Sequence, residues 1–213
     1  MFYISFEGID GSGKSTVLEA VARKFDELNI NHIVTKEPKG VFRDIILDPD
    51  NRYNLNEKAR MFLYQADRAV HSEYLKQFEN TNTIVLCDRG LMSTLVYQAI
   101  TAKVDMYDLM QMSMLACSNR IPDMIIHLHS SVEIARQRIN KRNDIKNYFD
   151  LKGDSFFREV QTYYEKATAY LQRQYGMDIV DINTDVKTID EVTDEIVNYL
   201  KIVFDKLKKA GIM

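Results

Sequence analysis

Tryptophan is absent from the 213 residues, and there are only two cysteines and three prolines. Two cysteines are too few for a disulfide framework or a thiolate metal cluster. Cys87 lies in the apolar run Ile84-Val85-Leu86-Cys87 and Cys117 in a helix-like stretch, so both read as small core residues. No run of about 18 apolar residues exists, the length needed to span a bilayer, and no membrane partner is expected. An apolar segment and a glycine-rich loop come first in the chain, leaving no stretch that reads as a signal peptide, so a cytoplasmic protein is expected. Charge of one sign is lacking too: 28 Lys and Arg against 31 Asp and Glu leave a net charge of -3. That argues against broad electrostatic attraction to a nucleic-acid polymer and leaves anion binding to local clusters of Lys and Arg. With 46% hydrophobic content, the chain supplies one substantial core, and a single domain over 1–213 is expected.

What is present is a regular alternation of short apolar runs and amphipathic stretches. Strands are predicted at 2–6, 32–36, 84–87, 124–128 and 179–182. Between them, Val17, Leu18, Val21, Ala22, Phe25 and Leu28 form one helical stripe. Asn54 with Glu57 reads as a capping box opening a long helix whose inward side would carry Phe62, Leu63, Ala66, Ala69, Val70 and Leu75. Helices are also predicted at 92–101 and 105–119. Ser130 with Glu133 reads as a second capping box, before a helix ending in Arg136, Arg138, Lys141 and Arg142. A polar loop over 143–153 follows, then a helix from Asp154 that stops near Gly176. Thr188 with Glu191 opens the last helix. Strands alternating with helices predict an α/β fold: a five-stranded parallel sheet with helices on both faces and ligands at the carboxyl ends of the strands.

The first of those ends carries Gly8-Ile9-Asp10-Gly11-Ser12-Gly13-Lys14-Ser15, which is G-x-x-x-x-G-K-[ST] between a strand and a helix. Backbone N–H groups of such a loop converge on a polyphosphate at the positive end of the helix. Lys14 is expected to reach the β- and γ-phosphates and Ser15 to ligate Mg²⁺, so the chain reads as a P-loop protein that binds a nucleoside triphosphate. Asp88-Arg89 follows the third strand, where a carboxylate suits Mg²⁺ and a guanidinium suits phosphate. Asn140-Lys141-Arg142-Asn143 is close to a guanine-reading Asn-Lys-x-Asp segment, but it ends in Asn and follows a helix, and it reads as coincidence. Asp67-Arg68, on spacing alone, reads as a solvated ion pair, and His71 as a surface or capping residue.

Four pieces in order resemble the thymidylate kinase family of P-loop nucleoside monophosphate kinases, over nearly the whole chain. They are Phe6 to Thr16, Lys36-Glu37-Pro38-Lys39-Gly40, Leu63-Tyr64-Gln65-Ala66-Asp67-Arg68-Ala69-Val70-His71, and Asp88-Arg89 followed by Ser93-Thr94-Leu95-Val96-Tyr97-Gln98. The resemblance implies phosphoryl transfer from ATP to a deoxynucleoside monophosphate, dTMP to dTDP, with Mg²⁺. Gly8, Asp10, Gly11, Ser12, Gly13, Lys14, Ser15, Thr16 and Arg138 would bind ATP; Ser15 and Asp88 would hold the metal. Arg68 and Arg89, with Arg43, would bind the acceptor monophosphate, and Glu37 and Ser93 would line the same pocket. Tyr64 would stack on the base, Gln98 and Thr94 would bond its edge, and Tyr97 would crowd the 2′ position of the sugar. Lys14, Arg89, Asp10 and Arg142 are the implied catalytic set, with Arg138 and Arg142 on one helix face beside a small lid at about 141–153. A homodimer formed through helices is also implied.

The match has departures. The family usually has Arg where Lys36 stands and Gly where Lys39 stands. Its bacterial members usually have Gly-x-x-Arg-Gly where this chain reads Ala99-Ile100-Thr101-Ala102-Lys103, and many have Arg where Tyr148 stands. Other deoxynucleotide specificities remain as alternatives. So does a deoxynucleoside kinase with Glu37 as general base, although that family's Glu-Pro-x-x-x-Trp pattern is excluded by the missing tryptophan.

Overall fold

In the computed structural model, which describes residues 1–142 and 146–209, five strands pair in parallel in the order β2-β3-β1-β4-β5. They are β1 (Phe2–Glu7), β2 (His32–Lys36), β3 (Ile84–Asp88), β4 (Met124–His129) and β5 (Asp178–Asn183). Alternate residues serve opposite faces. Ile126 joins Ile4, Phe6 and Leu86 beneath α1 (Lys14–Glu27) and α8 (Ile189–Lys209), whose Val17, Val21, Phe25, Ile196 and Leu200 fill that layer. Ile125 packs instead with Leu95, Val96, Leu109, Phe157 and Leu171, from α4 (Leu91–Thr101), α5 (Met106–Ala116) and α7 (Asp154–Tyr175). The expected doubly covered parallel sheet is therefore the one observed. Cys87 and Cys117 are both free and buried. Among the described residues, no helix is long and apolar enough to cross a membrane.

Among the described residues there are three more helices, α2 (Val41–Ile46), α3 (Glu57–Leu75) and α6 (Val132–Lys141). Neither α2 nor the 3₁₀ turn Lys76–Phe78 carries enough periodicity to be read from sequence. Two caps differ from expectation. Asn54 sits in a left-handed turn (φ 50°), and it is Asn56 that accepts the Ala59 N–H at the start of α3. Ser131, not Ser130, caps α6, because the Ser130 hydroxyl donates to Asp185 at 2.7 Å. The box at Thr188 and Glu191 forms as read, with both reciprocal bonds, and Gly176 ends α7 in the left-handed conformation.

The largest correction concerns α3. Its buried side is Arg60, Met61, Gln65, Asp67, Arg68, His71, Ser72 and Leu75, while Phe62 and Val70 are 59% and 62% exposed. Of the residues expected inward, Leu75 is buried and Leu63 and Ala66 are half-buried, whereas Phe62, Ala69 and Val70 are exposed. The inward face is polar because Gln65, Arg68, His71 and Ser72 each meet a buried hydrogen-bond partner across from it, and Arg68 with Tyr64 also lines a cleft. The 143–153 loop is not uniformly polar in its role either. Residues 143–145 lie outside the described residues, but Phe149 and Asp150 are buried, and the Phe149 ring meets that of Tyr97 edge-on at 5.0 Å.

Candidate active site

One cleft of about 1060 Å³ runs along the carboxyl ends of β1, β2 and β3. Its first wall is the loop from Gly8 to Gly13, and two of the glycines have no room for a side chain. A Cβ on Gly8 (φ 142°) would lie 2.4 Å from the Leu128 carbonyl oxygen, and one on Gly11 (φ 83°) 2.3 Å from that of Ala135. The loop is thus pressed between β4 and α6. Lys14 is buried, with Nζ donating to the Ile9 carbonyl at 2.8 Å. Burial and the neighbouring Arg89 pull its pKa down to about 8, against the opposing pull of Asp10, Asp88 and Glu7. A bound polyphosphate would replace that lost solvation with anionic partners.

Ser15 and Asp88 come together across 73 residues: the Ser15 hydroxyl donates to Asp88 Oδ2 at 2.5 Å, while Asp88 Oδ1 is buried without a protein partner. A hydroxyl beside an unsatisfied carboxylate oxygen is the hard-oxygen donor set that Mg²⁺ takes, so these residues fit the ion. Ser12 Oγ is likewise buried and unpartnered in the loop. Thr16 is exposed at the cleft wall. Arg138 reaches back from α6, donating to the Thr184 carbonyl at 2.7 Å and hydroxyl at 3.1 Å, and to the Gly11 and Ser12 carbonyls at 3.4 Å. Arg142 lines the cleft and donates to Asp150 at 3.0 Å.

The two walls meet at Asp10. Arg89, in the left-handed region (φ 68°) immediately after β3, donates to Asp10 Oδ1 at 2.5 Å, and Tyr97 donates to Oδ2 at 3.0 Å. Burial alone would raise the Asp10 pKa, but Arg89 and Lys14 outweigh it and hold the carboxyl below its ordinary value. The same Arg89 guanidinium donates to the Gly8 carbonyl at 3.1 Å and the Ser93 hydroxyl at 3.0 Å. Ser93 in turn donates to Glu7, a fully buried carboxyl whose pKa is raised by burial. Tyr164 ties α7 to this junction by donating to the Gly8 carbonyl at 3.0 Å.

The second wall belongs to β2, α2, α3 and α4. Tyr64, Thr94, Gln98 and Arg43 line it, and Arg43 donates to the Pro38 carbonyl at 3.3 Å. Arg68 departs from the role implied for it. All five of its N–H groups are engaged: Nε and Nη2 with Glu37 at 3.0 and 2.6 Å, Nη2 also with Thr94 at 2.9 Å, and Nη1 with Ser113 at 3.0 Å and Gln65 at 3.4 Å. That leaves no N–H of Arg68 for a phosphate. Glu37 is held on its other oxygen by His71 at 2.8 Å. Burial opposes its charge, yet Arg68 and His71 prevail and hold its pKa at about 2. Asp67 does not pair with Arg68; both its oxygens accept the Lys39 N–H at 2.9 Å.

Of the side chains named above at or behind the cleft, Glu7, Gln65, Asp67, His71, Ser113, Phe149, Asp150, Tyr164 and Thr184 are not among the site residues expected from sequence. Glu7 carried a signal, a carboxylate ending an apolar strand. His71 was read as a surface residue but is 3% exposed, and nothing local to residue 71 distinguishes the two.

A family model described as thymidylate kinase matches residues 6–196. The chain is 31% identical over 206 residues to the thymidylate kinase of Clostridium novyi (strain NT), covering 93% of this chain and 98% of that one. It is 33% identical over 207 residues to the thymidylate kinase of Syntrophotalea carbinolica, covering 92% and 93%. The thymidylate kinase of Staphylococcus haemolyticus is 31% identical over 206 residues, with 93% and 98% covered. With a P-loop, a parallel sheet and a second polar wall in one cleft, the chain belongs to the thymidylate kinase family.

Proposed function

We propose that this protein transfers the γ-phosphoryl group of ATP to dTMP, giving dTDP and ADP. The observation that carries the reading is the junction at Asp10, where the phosphate loop and Arg89 are joined by a 2.5 Å ion pair. It sets a donor cradle and an acceptor pocket in one cleft. The acceptor's second phosphate pKa is about 6, so its attacking oxygen is already anionic at neutral pH and no general base is required. Lys14 and the loop N–H groups orient the triphosphate, and Arg89, with Arg43 at the cleft edge, orients the acceptor phosphate in line with it. Mg²⁺, when bound at Ser15 and Asp88, supplies charge neutralisation on the phosphates. Arg142 and Arg138 add positive charge at the transferring group and along the triphosphate.

Arg68 is assigned to the base end of the pocket rather than to the phosphate. Its bond to Thr94 sets both beside Gln98, and Tyr64 offers a ring for the base. Tyr97, fixed by Asp10 and by the Phe149 ring, crowds the sugar. A nucleoside kinase reading is disfavoured because Glu37, at a pKa of about 2 and bonded to both Arg68 and His71, is a poor base for a hydroxyl proton.

The exposed apolar side of α3, with Phe62 and Val70, supports a homodimer that covers it, which sedimentation at micromolar concentration checks. A single kinase domain working in the cytoplasm completes the reading.

The direct test offers the purified protein ATP and Mg²⁺ with dTMP, dUMP, dCMP, dGMP or thymidine in turn. Turnover of dTMP above the other monophosphates, and none of thymidine, is expected. Turnover of thymidine alone would refute the reading.

A further inference from the structure

His71 has no place in the chemistry above and does not line the cleft. It is 3% exposed on the inward face of α3, one turn after Arg68. Its Nδ1 lies 2.8 Å from Glu37 Oε1 and its Nε2 lies 3.0 Å from the Thr35 hydroxyl. An ionised carboxylate only accepts, so Nδ1 must carry the proton. In the neutral ring Nε2 is then an acceptor, satisfied by the Thr35 O–H. Both oxygens of Glu37 are thereby assigned: Oε1 to His71 and Oε2 to the Arg68 fork. Without the bond at Oε1, the carboxylate would be free to rotate about its Cγ–Cδ bond, a broad two-fold torsion, and the Arg68 fork would rotate with it.

Resting on the proposed reaction, we propose that His71 is a positioning residue for the acceptor base. Its Nδ1–H fixes the Glu37 carboxylate, which fixes the Arg68 guanidinium against Thr94 beside Gln98. The chain runs β2 to α3 to α4 and stays clear of Lys14 and the phosphate loop. Its effect therefore falls on the acceptor and leaves ATP untouched.

Two substitutions separate the ring nitrogens. In His71→Asn the amide nitrogen overlays Nδ1 and retains donation to Glu37; in His71→Gln it overlays Nε2 and retains only the Thr35 contact. A bond to a charged group is worth about 1.5–3 kcal/mol, or roughly 10- to 150-fold. His71→Gln is therefore expected to raise KM for dTMP by about tenfold or more, with KM for ATP unchanged, while His71→Asn stays near wild type. Equal KM values for dTMP in the two variants, or KM for ATP rising in step with it, would overturn the proposal. Imidazole ¹⁵N NMR of the unsubstituted protein reads the tautomer without any substrate: an Nδ1–H ring supports the proposal and an Nε2–H ring overturns it. If the unsubstituted enzyme ignores dTMP, the proposed reaction fails, while the NMR result still decides whether His71 donates to Glu37.

Discussion

The two walls of the cleft are built on different plans. The donor wall is local, six residues between β1 and α1 with Lys14 and Ser15 behind them, and its working groups are backbone N–H groups with a cation and a hydroxyl. The acceptor wall is assembled from β2, α2, α3 and α4, and its working groups are side chains that saturate one another: Glu37 with Arg68 and His71, Arg68 with Thr94, Gln65 and Ser113. The donor wall leaves polar atoms open, Ser12 Oγ and Asp88 Oδ1, to be completed by ligand. A cradle that handles a common triphosphate needs little discrimination, whereas a pocket that selects one base needs rigid groups in fixed directions.

Removing the centre of the acceptor network should give the largest effect. Glu37→Ala leaves the Arg68 guanidinium buried and uncompensated, which costs about 3–5 kcal/mol of stability, read as a fall in denaturation midpoint together with loss of dTMP binding. If Glu37 were merely a surface ligand, stability would hold. The pH dependence has a definite sign. The folded pKa of about 2 is depressed from an ordinary 4.5. The stability from Glu37 is thus complete above pH 4.5 and is lost as pH falls toward 2, and Glu37→Gln should flatten that part of the acid unfolding curve.

A smaller effect distinguishes the two walls near neutrality. Lys14, with its pKa at about 8 in the free protein, loses its charge as pH rises through that value. Affinity for a non-hydrolysable ATP analogue should therefore decline above pH 8 while dTMP affinity stays level. Parallel declines would mean that the walls are not electrically separate.

The same contrast explains what sequence alone revealed. The sheet and the P-loop were legible because both are written in short, contiguous signals. Comparing α1 with α3 shows where legibility ended. Each has an apolar stripe, but that of α1 packs on the sheet through Val17, Val21 and Phe25, whereas on α3 Phe62 and Val70 face outward and Arg60, Arg68 and His71 face inward. Periodicity reports that a helix has two faces; which face is interior depends on what lies across from it. His71 and Tyr164 were misread or left as core for the same reason, since their partners Glu37 and Gly8 stand 34 and 156 residues away. Phe149 was passed over inside a loop judged by its polar neighbours.

The central claim is that one cleft holds two separable half-sites joined at Asp10 and Arg89. Calorimetric titration of Arg89→Ala with dTMP and, separately, with a non-hydrolysable ATP analogue tests it most directly. Loss of charged hydrogen bonds to the acceptor phosphate should weaken dTMP by roughly 10- to 150-fold with the ATP analogue little changed. Equal weakening of both would contradict the account and return Arg89 to the donor cradle.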